Sequence, residues 1–200
     1  MTRSATPSST TARIPLDPPR TLLYRLAEWY SRRTYGAVAD PLAAMGHNPR
    51  VLITDARFET SLARWKTLDP TLKALAVMAS AATIGCSWCM DFGYWMSAQE
   101  GVDPAKLRDV PTWRDSAVYS DPERQVMAYA EAMSSTPLGV TDEMVAGLRR
   151  HLDDAQLVEL TMMIAVENNR SRFNSALGLT SQGFKDRCEI PARASRPVDA

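Results

Sequence analysis

Residues 68–93 read LDPTLKALAVMASAATIGCSWCMDFG, and the fold turns on how this run is divided. Asp69-Pro70 opens a helix, since proline suits the first helical position. The stretch from Leu72 to Ala82 is the most apolar in the chain. It is too short to span a bilayer, which takes about 20 residues. It therefore predicts a buried, central helix from Pro70 to about Thr83. Ile84-Gly85 breaks that helix, and a new one is expected to start around Cys86 and end at Gly101, a C-terminal glycine cap. Two cysteines three apart, Cys86 and Cys89, are thus placed at the start of a central helix.

Working outward, helical spacing recurs on both sides. Leu22, Leu23, Leu26, Trp29 and Tyr30 predict a helix over 19–34. Asn48-Pro49 is a cap-and-proline start for the next, which carries Leu52, Ala56, Leu62 and Trp65. Residues 103–120, rich in Asp, Pro and Trp, read as a loop. Further helices are expected from Asp121, from Thr141 and from Asp153, the last running toward Gly178. No useful length alternates with period two, so the expectation is an all-α bundle of about seven helices. One domain is expected over 19–190, with disordered tails at 1–18 and 191–200.

Composition narrows the function classes. Of 200 residues, 45% are apolar and 23% charged, with a formal net charge of zero. Nucleic acid and anionic membranes both call for a basic surface, and neither is expected as a partner. MTRSATPSSTTARIPLDPP lacks the apolar region of a secretory signal. With three cysteines and no export signal, the expected location is cytoplasmic, where Cys-x-x-Cys points to redox or metal chemistry.

On a helix, residues three apart share a face, so Cys86 and Cys89 can form a disulfide with little rearrangement. Free N–H groups and the dipole at a helix start stabilise a thiolate, and Cys86 is nearest to them. Two other readings stand beside redox chemistry. The thiols are small core residues, or they bind zinc. Zinc wants four ligands, and beyond the pair the chain offers only Cys188, His47 and His151, none in a paired spacing. No metal or bound cofactor is therefore expected. A faint repeat at an offset of 85 matches Leu72 to Leu157, Leu75 to Leu160 and Met78 to Met163. It sets Cys86 and Cys89 on Ser171 and Asn174, and predicts two packed helical hairpins of which one carries thiols.

Residues 45–184, from MGHNPRVL through LAVMASAATIGCSWC and YAEAM to RFNSALGLTSQGF, resemble the carboxymuconolactone decarboxylase/AhpD-like family. The resemblance implies an AhpD-like helical bundle that forms homo-oligomers. Members with Cys-x-x-Cys are alkylhydroperoxidase-like thiol proteins, and those without it are decarboxylases. It implies catalytic Cys86 and Cys89, with Cys89 attacking peroxide. The redox members also carry a relay glutamate twelve residues before the first cysteine and a histidine four after the second. Here those positions hold Ala74 and Gly93.

Asp91, Tyr94 and His47 are the candidates to substitute for that relay. Asp91 lies about 200° around the helix from Cys89, and Tyr94, as a phenol, is a poor base. Glu159 and Arg172 are expected to form an ion pair across a hairpin, or Arg172 and Asn174 to hold a substrate carboxylate. The leading expectation is a thiol–disulfide oxidoreductase that reduces a hydroperoxide or a small-molecule or protein disulfide, fed by a thiol electron donor. The alternatives are a non-redox helical module and a decarboxylase- or lyase-like enzyme of the same fold.

Overall fold

A computed structural model describes residues 12–188. They hold nine α-helices and two 3-10 turns, with no strand among the described residues. The helices are α1 (Leu22–Tyr35), α2 (Asp40–Met45), α3 (Pro49–Leu62), α4 (Pro70–Ile84), α5 (Ser87–Gln99), α6 (Pro104–Asp109), α7 (Asp121–Ser134), α8 (Asp142–Leu148) and α9 (Asp154–Ala176). The all-α expectation holds, with two more α-helices than the sequence suggested. One is α2, the other α6. The segment 103–120 is not a plain loop: Asp103 caps α6, and a 3-10 turn (Val110–Asp115) follows. Residues 1–11 of the expected N-terminal tail, and all of the C-terminal one, lie outside the described residues. Within 12–18, the Arg13 amide donates to the carbonyl of Leu177 at 2.7 Å, and the Pro15 carbonyl lies 2.8 Å from His47 Nε2.

Each start is written locally. Asn48 accepts from the amides of Arg50 and Val51, and Asp69 from those of Thr71 and Leu72, each just before a proline. At the core, α4 packs against α5, α7 and α9. Leu75, Met78, Val126, Met127, Leu160 and Ile164 are almost wholly buried there. Burying such a side chain contributes about 1.5–3 kcal/mol, so this helix sandwich is the main source of stability.

Gly85 makes the site possible. Its φ of +82° lies in the left-handed region that side-chain-bearing residues rarely adopt, and its amide closes α4 on the carbonyls of Ala81 and Ala82. The chain turns there and α5 begins with Cys86 as its cap. On the other side of the bundle, α9 runs unbroken through the residues matching this turn. The second hairpin expected from the repeat is therefore a single long helix. No helix among the described residues is long and apolar enough to cross a membrane.

Candidate functional site

Cys86 and Cys89 are joined by a disulfide, with their Cα atoms 5.3 Å apart. Cys86 is the N-cap of α5, and its sulfur accepts from the Cys89 amide at 3.2 Å. A helix-start N–H aimed at a sulfur is what lowers a thiol's pKa. Cys86 is 1% exposed and Cys89 8%, so Cys89 is the more accessible thiol. Its sulfur has a donor from across the bundle: Asn174 Nδ2 on α9, at 3.3 Å. Each sulfur thus has one N–H donor, and neither has a charged side chain among these partners.

An aromatic wall flanks the pair. Trp88 stacks on Phe92 with ring centres 4.8 Å apart, and Phe184 and Tyr35 meet Phe92 edge-on at 5.1 and 5.2 Å. Gln182 fixes this wall, accepting from Trp88 Nε1 at 2.7 Å and donating to the Val38 carbonyl.

The relay candidates are engaged elsewhere. The Asp91 carboxylate accepts from the backbone amides of Gln182, Phe184 and Lys185 at 2.7–3.1 Å, pinning the C-terminal segment onto α5. Burial pushes its pKa up, but these amides and the Ser181 hydroxyl outweigh that and hold it below the ordinary value. Such a carboxylate is a poor proton acceptor. Tyr94 is buried under Lys185, whose Nζ lies 4.9 Å from the ring centre. His47 is exposed, with Nε2 2.8 Å from the Pro15 carbonyl.

Glu159 and Arg172 do not pair. Glu159 binds Lys73 Nζ at 2.5 Å and the Thr67 amide at 2.9 Å. Arg172 donates to the Ser134 carbonyl and to Asn168 Oδ1. Because α9 is one continuous helix, thirteen residues separate them by about 20 Å along the axis and put them on opposite sides. Arg172 lines an open concavity of about 380 Å³ with Met133, Thr136 and Asn168. It lies about 200° around α9 from Asn174, so that concavity does not share the thiol face.

Sequence reasoning set Asn174 beside Arg172, and Glu167 in a polar stretch with Asn168 and Asn169, and missed that Glu167, Ser171 and Asn174 form one buried row on α9. Glu167 Oε1 accepts from the Ser171 hydroxyl at 2.7 Å, and Asn174 follows one turn on. Glu167 is 3% exposed, and burial raises its pKa to about 7 against the opposing pull of Arg170 and Ser171. Arg170 in turn forks onto Glu59 of α3 at 2.5 and 2.7 Å. The signal was present: Ser171 and Asn174 are the residues that the repeat sets on Cys86 and Cys89.

A family model described as the carboxymuconolactone decarboxylase family matches residues 49–132, which hold α3 through most of α7 and both thiols of the pair. The uncharacterized protein YnjA of Escherichia coli (strain K12) is 35% identical over 175 residues, covering 87% of this chain and 94% of its own. The chain belongs to the carboxymuconolactone decarboxylase family. Among solved structures, an AhpD-core, peroxidase-related protein from Ralstonia eutropha JMP134 superposes with a TM-score of 0.79 at 17% identity, covering 94% of this chain and 100% of that one. The debrominase Bmp8 gives a TM-score of 0.74 at 19% identity, covering 90% and 96%. At these identities the two structures establish the shared AhpD-like fold and nothing finer.

Proposed function

We propose that the chain is a thiol–disulfide oxidoreductase that reduces hydroperoxides by cycling Cys86 and Cys89. The observation that carries the reading is the disulfide at the start of α5, with an N–H donor on each sulfur. In the reduced protein the Cys89 thiolate attacks the distal oxygen of the hydroperoxide. An S–O bond forms, the O–O bond breaks, and the alkoxide leaves with the electron pair and takes a proton from water. The Cys86 thiolate then attacks the sulfenic sulfur of Cys89, hydroxide departs as water, and the disulfide forms. An external dithiol returns the two electrons by exchange. No bound cofactor enters the cycle, and it suits the reducing cytoplasm.

The site works without the family's relay glutamate and histidine, because Ala74 and Gly93 carry no proton. Thiolate formation then rests on backbone and amide N–H donors, and turnover is slow. The exposed apolar face of α1, with Leu22, Leu26, Trp29 and Tyr30, supports a homo-oligomer.

Consumption of cumene hydroperoxide with dithiothreitol as donor tests the reading. Wild type turns over, whereas Cys86→Ser and Cys89→Ser each abolish turnover while keeping helical content. Unchanged turnover in either variant would sink it. The aromatic wall beside the thiols favours a second reading, in which the same dithiol removes halide from an aromatic ring. Two electrons and a proton would replace carbon–halogen with carbon–hydrogen, and bromide release from an aryl bromide would reveal it.

A further inference from the structure

Asn174 is 2% exposed, and its two side-chain polar atoms are in unequal states. Nδ2 lies 3.3 Å from Cys89 Sγ. A disulfide sulfur carries no hydrogen, so the amide N–H is the donor, and this fixes which end of the carboxamide faces the sulfur. Oδ1 is buried, and no donor among the described residues reaches it. Buried carbonyl oxygens are nearly always satisfied, so an orphan next to a reactive sulfur calls for a donor that arrives from outside. Ser171, the neighbouring hydroxyl on this face of α9, has its hydrogen directed to Glu167 Oε1 at 2.7 Å.

The donor that chemistry brings to this place is the O–H of a hydroperoxide. The thiolate attacks the distal oxygen, and that oxygen bears the hydrogen. A carboxamide holds N–H and C=O side by side, so one group can grip the sulfur while the other takes the hydrogen of the atom being attacked. A disulfide substrate has no such hydrogen.

We propose that Asn174 is a catalytic residue of the thiol site, with Nδ2 holding the Cys89 thiolate and Oδ1 accepting the O–H of the hydroperoxide during attack. The assignment rests on the hydroperoxidase reading above and deepens it. In the step, the sulfur lone pair forms the S–O bond and the O–O bond breaks. The alkoxide leaves with the electron pair and is protonated by water. The distal oxygen keeps its hydrogen and becomes the sulfenic hydroxyl, still donating to Oδ1. Sulfur is oxidised and the hydroperoxide is reduced to the alcohol. The sulfenic hydroxyl is then displaced by Cys86 and leaves as water.

The test compares two oxidants on the reduced full chain, cumene hydroperoxide and dithiobis-nitrobenzoate, each rate expressed per Cys89 thiolate. The thiolate fraction comes from the pH profile of alkylation. Asn174→Ala raises the Cys89 pKa and slows the hydroperoxide reaction by about tenfold to a hundredfold per thiolate, the cost of leaving the hydroperoxide O–H without an acceptor in a buried site. The aryl disulfide reaction per thiolate stays within about threefold, since it uses no acceptor at Oδ1. Asn174→Asp keeps an acceptor and loses the donor. It raises the pKa further but retains most of the hydroperoxide rate per thiolate, and it serves if the alanine variant does not fold. Equal losses with both oxidants, or no loss with either, would overturn the role of Asn174. A wild-type protein that reacts with the aryl disulfide but not with hydroperoxide would overturn the hydroperoxidase reading itself, and this assignment with it.

Discussion

Glu167→Gln is the substitution whose effect on stability follows most directly from the structure. The carboxyl is 3% exposed, its Oε1 receives one hydroxyl, and its Oε2 lies 3.5 Å from Arg170. Arg170 is already engaged by Glu59, so its charge is shared. Burial wins, and the pKa stands near 7, against 4.5 for the free group. The folded protein therefore binds a proton more tightly than the unfolded chain. Its stability from this group is complete below pH 4.5 and is lost as pH rises to 7. At 1.36 kcal/mol for each tenfold change in proton affinity, the loss is about 3 kcal/mol. Glutamine keeps the shape and an acceptor for Ser171 but cannot ionise. Urea unfolding from pH 4.5 to 8 reads the difference directly. The variant is expected to equal wild type at the acid end and to gain about 3 kcal/mol on it at the alkaline end. The other strongly paired carboxylates, Asp91, Glu123 and Glu159, have lowered pKa values and titrate below this window. They do not mask the effect. Parallel curves for the two proteins would refute a buried, proton-holding Glu167.

Three other perturbations follow from the same structure. Asp91→Asn removes the charge that gathers the amides of Gln182, Phe184 and Lys185. It is expected to cost about 2 kcal/mol and to speed proteolysis at the C-terminal segment, read by limited digestion. Lys73→Met leaves Glu159 buried without its cation, lowering stability at pH 7 by about 3 kcal/mol. The deficit shrinks as pH falls below 4.5, because the lowered pKa of Glu159 makes its contribution one that acid removes. Leu26→Glu with Trp29→Glu on the exposed face of α1 is expected to dissociate the proposed homo-oligomer, with light scattering reporting monomer against a larger wild type and turnover reporting whether the site survives.

Much of the fold was legible because its punctuation is local. Asn48-Pro49, Asp69-Pro70 and Cys86 begin helices through groups a few residues away, and Gly85 ends one through its own φ. Helix α2 escaped because six residues give no periodicity to read. Asp103-Pro104 was a start signal of the same kind as Asn48-Pro49, hidden by the polar residues around it. In the site, the thiols were plain and their partner was nearly so. The offset that sets Cys89 on Asn174 also describes their hydrogen bond across the bundle. The same offset misled at Glu159 and Arg172, because it implied a hairpin where α9 continues. What Asp91 does depends on where a segment some ninety residues later returns. Nothing in its neighbours announces that.

The central claim is that one hydroperoxide converts the Cys86–Cys89 dithiol to a disulfide. Its most direct measurement is a titration of the reduced full chain with cumene hydroperoxide, counting free thiols by alkylation and mass spectrometry. The account predicts the loss of two thiols per hydroperoxide consumed, mapped to Cys86 and Cys89, with Cys188 still free. Thiols that stay reduced until the protein is unfolded would contradict it, and the pair would then be part of the scaffold.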